Sequence, residues 1–179
     1  MSYINQNDLL LKKLMEYYNT NNNLDTMLKI INGGSKISLR IVDWFATNYA
    51  KKNYTVYPIE NDDRFKVYNN YKLNLKAYSK RRFDPFCRWK RINIPYRENE
   101  FIQTTIGQLN FFKWALENKI IDYIENNYKD IEADMNNRNS TSRKNGEVCS
   151  KTRKKREELS ISASKSIKKE NIEITVVFN

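Results

Sequence analysis

Residues 104–135 read TTIGQLNFFKWALENKIIDYIENNYKDIEADM, and this stretch predicts the helical half of the fold. Thr104 or Thr105 can cap the first helix, because a threonine hydroxyl accepts a hydrogen bond from a free backbone N–H of the first turn. Apolar residues then recur with helical spacing, at Leu109, Phe112, Trp114, Ala115 and Leu116. After the short sequence ENK a second amphipathic run follows, with apolar residues at Ile120, Ile121, Ile124, Tyr128 and Ile131. We therefore expect two helices that pack in the core.

The residues before this stretch predict a mixture of helices and strands. Ser38 is a candidate N-cap for a helix over 39–51. Two β-prone runs, 54–58 and 64–68, flank the acidic turn sequence ENDD and predict a hairpin. Arg91–Tyr96 alternates in the manner of a further strand. Residues 70–80 fit either a helix or an extended strand; on a helix, lysines four residues apart line one stripe.

The two ends of the chain differ from the middle in composition. Two short helices are predicted near the N-terminus, over 7–18 and 24–31, and their spacing fits either a docking arm or an integral part of the core. From Asn136 the chain becomes polar and basic, with almost nothing to bury, which predicts a disordered linker. The final β-prone run, Ile172–Phe178, either returns to the sheet or pairs with the sheet edge of a partner.

Together these patterns predict an α+β fold, with amphipathic helices packed on a small antiparallel sheet and a basic flexible C-terminal segment. The predicted parts are an N-terminal helical arm (1–35), an α+β core domain (36–135), a basic disordered linker (136–160) and a C-terminal tail with a β-prone end (161–179).

The positive charge of the chain lies in two blocks. The 179 residues carry a formal net charge of +11. Residues 72–91 hold eight Lys or Arg against one acid, and residues 138–169 hold eleven against three. Charge concentrated in this way favours a specific anionic partner over a general solubility device.

Several classes of protein are disfavoured by composition. The chain has no histidine, which removes the usual neutral-pH general base and every zinc site containing histidine. Its two cysteines, Cys87 and Cys149, predict a reducing compartment without a disulfide framework. The four glycines form no phosphate loop, and no cofactor is predicted. No apolar run approaches the roughly 20 residues that span a bilayer, so we expect a soluble intracellular protein without a membrane partner.

The first basic block, KLNLKAYSKRRFDPFCRWKR at 72–91, interleaves cations with aromatic rings. Cations neutralise phosphates and rings stack on bases, so this segment predicts a nucleic-acid surface. The alternative is a solvated basic face beside core aromatics. The candidate phosphate-binding residues are Lys72, Lys76, Lys80, Arg81, Arg82, Arg88, Lys90 and Arg91. The candidate stacking residues are Tyr78, Phe83 and Trp89. A second cluster predicted to add non-specific affinity comprises Lys151, Arg153, Lys154, Lys155 and Arg156.

Three segments together resemble a known family. They are SLRIVDWFATNYAKKN (38–53), FKVYNNYKLNLKAYSKRRFDPFCR (65–88) and TTIGQLNFFKWALENKIIDYI (104–124), and the tail ELSISASKSIKKENIEITVVF (158–178) adds to the match. The chain resembles an uncharacterised family carried by nucleocytoplasmic large DNA viruses, including mimivirus-like and alga-infecting members. The resemblance supplies no catalytic residue. It implies a viral protein of the host cytoplasm (viral factory) or of the virion.

The leading hypothesis is a non-enzymatic, basic nucleic-acid-binding protein of a large DNA virus, acting in genome packaging or late gene expression. DNA and RNA are both candidate partners, without sequence readout. One alternative is a structural adaptor whose basic segment docks an acidic viral protein. Another is a metal-dependent nuclease using Asp62, Asp63 or Asp84, although Asp84 is better explained as a cap of the turn before Pro85 or as a partner of Arg82 or Arg88.

Overall fold

A computed structural model of the chain describes residues 6–19, 22–60, 62–97, 100–144 and 168–171. Within these residues the fold is mostly helical and contains two small antiparallel sheets. The predicted α+β class is therefore confirmed. The second basic cluster, at 151–156, and the β-prone end, at 172–178, lie outside the described residues.

The two N-terminal helices are α1 (Gln6–Tyr18) and α2 (Asn23–Ile31). They are integral to the core, because Leu14 and Tyr18 of α1 are buried in the same cluster as the later helices. The Tyr18 hydroxyl also donates a hydrogen bond of 2.6 Å to the carbonyl oxygen of Leu109. The docking-arm alternative is therefore wrong for these helices.

A helix, a π-helical turn and a short helical end follow, at α3 (Leu39–Trp44), Phe45–Tyr49 and α4 (Ala50–Lys52). As predicted, Ser38 is the N-cap, and its hydroxyl accepts a hydrogen bond of 3.3 Å from the Ile41 backbone N–H. The predicted helix over 39–51 is thus present in the sequence range expected. Its middle, however, is wound as a π-helix.

The predicted hairpin is formed by β1 (Val56–Ile59) and β2 (Asp62–Lys66), which pair antiparallel. The chain then enters α5 (Val67–Tyr78) directly, so residues 67 and 68 are helical and not part of a strand. Ser79, at φ 65° and ψ 162°, separates α5 from the short helix α6 (Lys80–Phe83).

The second sheet has the strand order β3-β4-β5, all antiparallel. Its strands are β3 (Arg91–Arg97), β4 (Glu100–Thr105) and β5 (Lys168–Asn171). Ile94 lies opposite Ile102 in the first pair, and both are buried against the helices. The C-terminal part of the chain therefore returns to the sheet at β5.

Three helices fill the rest of the described chain: α7 (Ile106–Glu117), α8 (Ile120–Asn126) and α9 (Tyr128–Lys144). Thr105 caps α7 through its hydroxyl, which accepts from the Gln108 N–H at 3.2 Å. The single second helix expected from the sequence is wrong in one respect, since it is interrupted at Asn127. It also continues to Lys144, so residues 136–144 are helical and not part of the predicted linker.

The centre of the fold is α7, which is buried on nearly all sides. A helix surrounded in this way needs apolar residues around its whole circumference. Its Phe111 and Phe112 are fully buried, and Phe111 packs against the rings of Tyr71 and Phe83. The basic segment 72–91 therefore connects elements that pack on this central helix.

Candidate nucleic-acid interface

Helix α6 carries the most basic part of the segment and lies directly against α7. The contact is made at Gly107, where a Cβ atom would lie 2.9 Å from the Asp84 carbonyl oxygen and 3.1 Å from that of Arg81. Only glycine allows two backbones to approach so closely. The backbone that carries the cations of α6 is therefore fixed to the core.

Arg82 is half-buried and joins neighbouring helices. Its Nε donates a hydrogen bond of 2.8 Å to Asn7 Oδ1, and its Nη1 donates one of 3.3 Å to Gln6 Oε1. Its backbone carbonyl accepts a hydrogen bond of 2.9 Å from Asn110 Nδ2. These contacts anchor α1 and α7 and occupy donors that the sequence had assigned to phosphate.

Phe83 was expected to stack on a base, and this prediction is wrong. The side chain is fully buried. It packs edge-on against Phe111 and Trp114, with ring centroids 5.9 and 5.7 Å away. Tyr78 lies parallel to Phe83 at 6.1 Å and is half-buried, so its ring is partly committed to the core.

Trp89 is 38% exposed and is covered on one side by Arg81. The guanidinium carbon lies 4.2 Å from the centroid of the indole ring, which is a cation–π contact. The contact draws the loop after α6 back onto the helix. The Arg81 side chain remains exposed, so its guanidinium is available for an anion.

Asp84 stabilises the turn after α6, as its sequence position suggests. Its Oδ1 accepts a hydrogen bond of 2.8 Å from the Phe86 backbone N–H, and its Oδ2 lies 3.5 Å from Lys80 Nζ. The ion-pair partner is thus Lys80, four residues earlier, and not Arg82 or Arg88. The Lys80 side chain remains mostly exposed, so this pair neutralises only part of its charge.

The cations of α5 form a shorter stripe than expected. Lys72 and Lys76 are both exposed on this helix, one turn apart. Lys72 also lies 5.7 Å from the ring centroid of Tyr68, and Lys51 lies at the same distance from that ring. Because the helix ends at Tyr78, Lys80 does not continue the stripe.

The remaining candidates lie between α6 and β3. Arg88, Lys90 and Arg91 are exposed. Arg91 is placed by a hydrogen bond of 3.0 Å from its Nη1 to Gln103 Oε1 across the strand pair. Together with Lys80 and Arg81 on α6, they are the exposed cations of residues 80–91.

Asp43 is an acidic residue near α6 that the sequence did not single out. Burial, with a smaller contribution from the neighbouring Asp84, raises the pKa of this carboxyl to about 7, although Lys80 acts to lower it. The carboxyl is therefore protonated in part at neutral pH. A protonated carboxyl carries no charge, so Asp43 places less negative charge near Lys80 and Asp84 than an ordinary aspartate would.

The acids considered for a nuclease do not converge. Asp62 and Asp63 are exposed on β2, and the Asp62 carboxylate accepts from the Arg64 N–H. Asp84 belongs to the turn after α6. Within the described ranges, no group of three or more acidic or cysteine side chains could hold a metal ion. No helix among these described residues has the length and hydropathy of a membrane span.

Most of the chain is similar to known protein sequences. A family of unknown function (DUF7197) matches residues 3–177. Over 130 residues the chain is 52% identical to an uncharacterised protein of Acanthamoeba polyphaga mimivirus, a match that covers 68% of this chain and 49% of that protein. The chain thus spans about half the length of this curated relative. No solved structure matches the chain.

Proposed function

The chain belongs to the DUF7197 family of large DNA viruses, and we propose that it is a non-enzymatic protein that binds nucleic acid through its basic segment. The observation that supports this most is the cation–π contact of Arg81, on α6, with Trp89, in the loop that follows. It places an exposed guanidinium over an indole ring that is itself 38% exposed, in a segment with further exposed cations. Phosphate contact and base stacking can then occur within one small surface.

The exposed cations define what we call the basic surface: Lys72, Lys76, Lys80, Arg81, Arg88, Lys90 and Arg91. Arg82 and Phe83 are left out because they support the core. Contacts to phosphate carry no sequence information, so the proposal includes no sequence readout. In the infected cell such a protein would act on DNA or RNA in the host cytoplasm, in genome packaging or late gene expression, and could enter the virion with the genome.

The test is fluorescence anisotropy with labelled single-stranded DNA, duplex DNA and RNA over a series of salt concentrations. The variant is Lys80→Ala/Arg81→Ala, which removes two exposed cations and leaves Arg82 in place. The control is Lys12→Ala/Lys13→Ala, which removes two exposed cations from α1. We expect the first variant to weaken binding about tenfold or more at low salt, while the control stays close to wild type.

Equal weakening by both variants would point to general charge attraction and not to this surface. Absence of binding by the wild type at low salt would overturn the proposal. An adaptor for an acidic viral protein remains the rival from a different class. The adaptor function is supported if an acidic viral protein binds the basic surface and added DNA does not displace it.

A further inference from the structure

An exposed tyrosine follows α4 in a backbone conformation that favours glycine. Tyr54 has a φ of 47° and is the first residue beyond the helix cap at Asn53. The Thr55 backbone N–H donates a hydrogen bond of 3.1 Å to the Ala50 carbonyl oxygen, as in a Schellman motif. Glycine is the usual residue at the left-handed position of this motif, because a Cβ atom makes the conformation unfavourable. A tyrosine at this position therefore costs stability.

Burial does not offset this cost. Tyr54 is 62% exposed, and the Nζ of Lys66 lies 6.0 Å from the centroid of its ring. The cation covers part of the ring, and the exposure leaves much of the rest open to solvent. Residues kept in unfavourable backbone conformations cluster at binding sites, where the strain serves the contact with a ligand. The exposed ring is therefore a candidate ligand contact.

Backbone hydrogen bonds hold the residues beside Tyr54 in place. Val56 lies opposite Lys66 in the β1–β2 pair, and the Val67 N–H extends this pairing with a bond of 3.3 Å to the Thr55 carbonyl oxygen. The residues that follow α4 therefore run beside the residues that begin α5. The Tyr54 ring and the Lys66 ammonium group are thus brought together by the paired backbone.

A second ring at the start of α5 lies between two cations. The Nζ atoms of Lys51 and Lys72 each lie 5.7 Å from the ring centroid of Tyr68, so the two atoms are no farther apart than twice that distance. Among the residues that the structure describes, no carboxylate forms an ion pair with Lys51, Lys66 or Lys72. Like charges held together without an acid repel one another, and a bound anion removes that repulsion.

The two ring–lysine groups are neighbours, because both combine residues from the end of α4 and the start of α5. We call them the tyrosine patch: Lys51, Tyr54, Lys66, Tyr68 and Lys72. The nearest acids in the hairpin sequence, Asp62 and Asp63, lie at the opposite end of β2 from Lys66. The tyrosine patch shares Lys72 with the basic surface, so one strand can contact both.

We propose that Tyr54 stacks on a base of single-stranded nucleic acid while the three lysines of the tyrosine patch bind its phosphates. Stacking needs an open ring, and every base has a face that can occupy it. A duplex covers those faces with neighbouring base pairs, so only an unpaired strand uses both the ring and the cations. The inference rests on the proposed function and deepens it, since it names the residue that distinguishes single strands from duplexes.

The experiment measures fluorescence anisotropy with oligo-dT and with a DNA duplex of equal length, at low salt. In Tyr54→Gly we expect the affinity for oligo-dT to fall about fivefold or more, while the affinity for the duplex stays within about twofold of wild type. Urea unfolding should show that this variant is at least as stable as wild type, because glycine fits the left-handed backbone. Tyr54→Phe keeps the ring and should bind oligo-dT as wild type does.

The control for the ring is Leu9→Ala, which removes an exposed apolar side chain from α1 and should leave both affinities unchanged. The lysines are tested with Lys51→Ala/Lys66→Ala, which should weaken binding to both probes and make the salt slope on oligo-dT shallower by about 1.4. An unchanged slope would overturn the role of these lysines.

If wild type binds oligo-dT and Tyr54→Gly binds it equally well, the stacking inference is overturned and the proposed function stands. A loss of equal size on oligo-dT and duplex also overturns it, because a stacking residue acts on the unpaired strand. If wild type binds neither probe, the proposed function and this inference both fail. Binding of poly-glutamate under those conditions would then assign the lysines to an acidic protein partner.

Discussion

At the scale of single residues, Gly107 tests whether the contact between α6 and α7 is as close as described. In Gly107→Ala the new methyl group meets backbone oxygens at 2.9 and 3.1 Å, and neither can rotate away. We expect a loss of about 1–3 kcal/mol in the free energy of unfolding, measured with urea. Gly34→Ala is the control, since its nearest contact is an ordinary 3.5 Å. Equal stability of the two variants would contradict the close contact.

Asp43 predicts a dependence of stability on pH. Its folded-state pKa of about 7 lies above the ordinary value of 3.8, so between these pH values the folded protein binds more protons than the unfolded chain. Its contribution to stability is therefore fully present below the unfolded pKa and is lost as the pH rises through about 7.

Asp43→Asn removes this titration. We expect the variant to be more stable than the wild type at pH 8 by about 1–3 kcal/mol, with a smaller difference at pH 5. Urea unfolding at both values measures the effect. Asp63→Asn, at an exposed position of β2, is the control and changes little at either pH. A gain of the same size at both pH values would show that the carboxyl does not titrate in this range.

At the scale of elements, Arg82 links α6 to the first turn of α1 through hydrogen bonds. Arg82→Ala removes the hydrogen bonds to Asn7 and Gln6. We expect the variant to lose about 1–2 kcal/mol of stability, since hydrogen bonds to charged groups contribute about this much. Hydrogen exchange should also become faster within α1. Arg81→Ala should leave both quantities near wild type, and an equal effect on α1 would contradict the assignment.

Local signals predicted most of these elements correctly. The caps at Ser38 and Thr105 and the apolar spacing of α1 and α2 depend on neighbouring residues alone, which sequence shows directly. The interruption at Asn127 and the helical conformation of 136–144 were missed. Asn127 is one of many asparagines and carries no distinct signal. Residues 136–144 are polar, and composition alone cannot show that they continue a helix anchored by buried Ile131 and Met135.

The candidate interface was predicted less well, because its details depend on packing. Phe83 and Trp89 occur in the same basic run and look equivalent in sequence. Only the position of α6 against α7 buries one and exposes the other. A polar cleft between α5 and α7, lined by Asn70, Asn74 and Asn110, was missed for a similar reason, since the two helices bring these residues together from distant positions in the chain.

At the scale of the whole molecule, the basic surface predicts a defined salt dependence. Each phosphate neutralised on a single strand contributes about −0.7 to the slope of log K against log salt. In Lys72→Ala/Lys76→Ala we expect the slope to become shallower by about 1.4 on single-stranded DNA. Anisotropy titrations at four or more salt concentrations measure it, with Lys12→Ala/Lys13→Ala as the control. An unchanged slope would place the α5 lysines outside the contact.

The close approach of α6 to α7 at Gly107 also bears on kinetics. The backbone that carries Lys80 and Arg81 is already in its final position, so no local folding step has to precede contact with a strand. The rate of association should then be set by diffusional encounter, accelerated by the electrostatic field and slowed by salt. Stopped-flow traces should accordingly show a single phase whose rate rises linearly with the concentration of nucleic acid, without the plateau that a slow rearrangement produces.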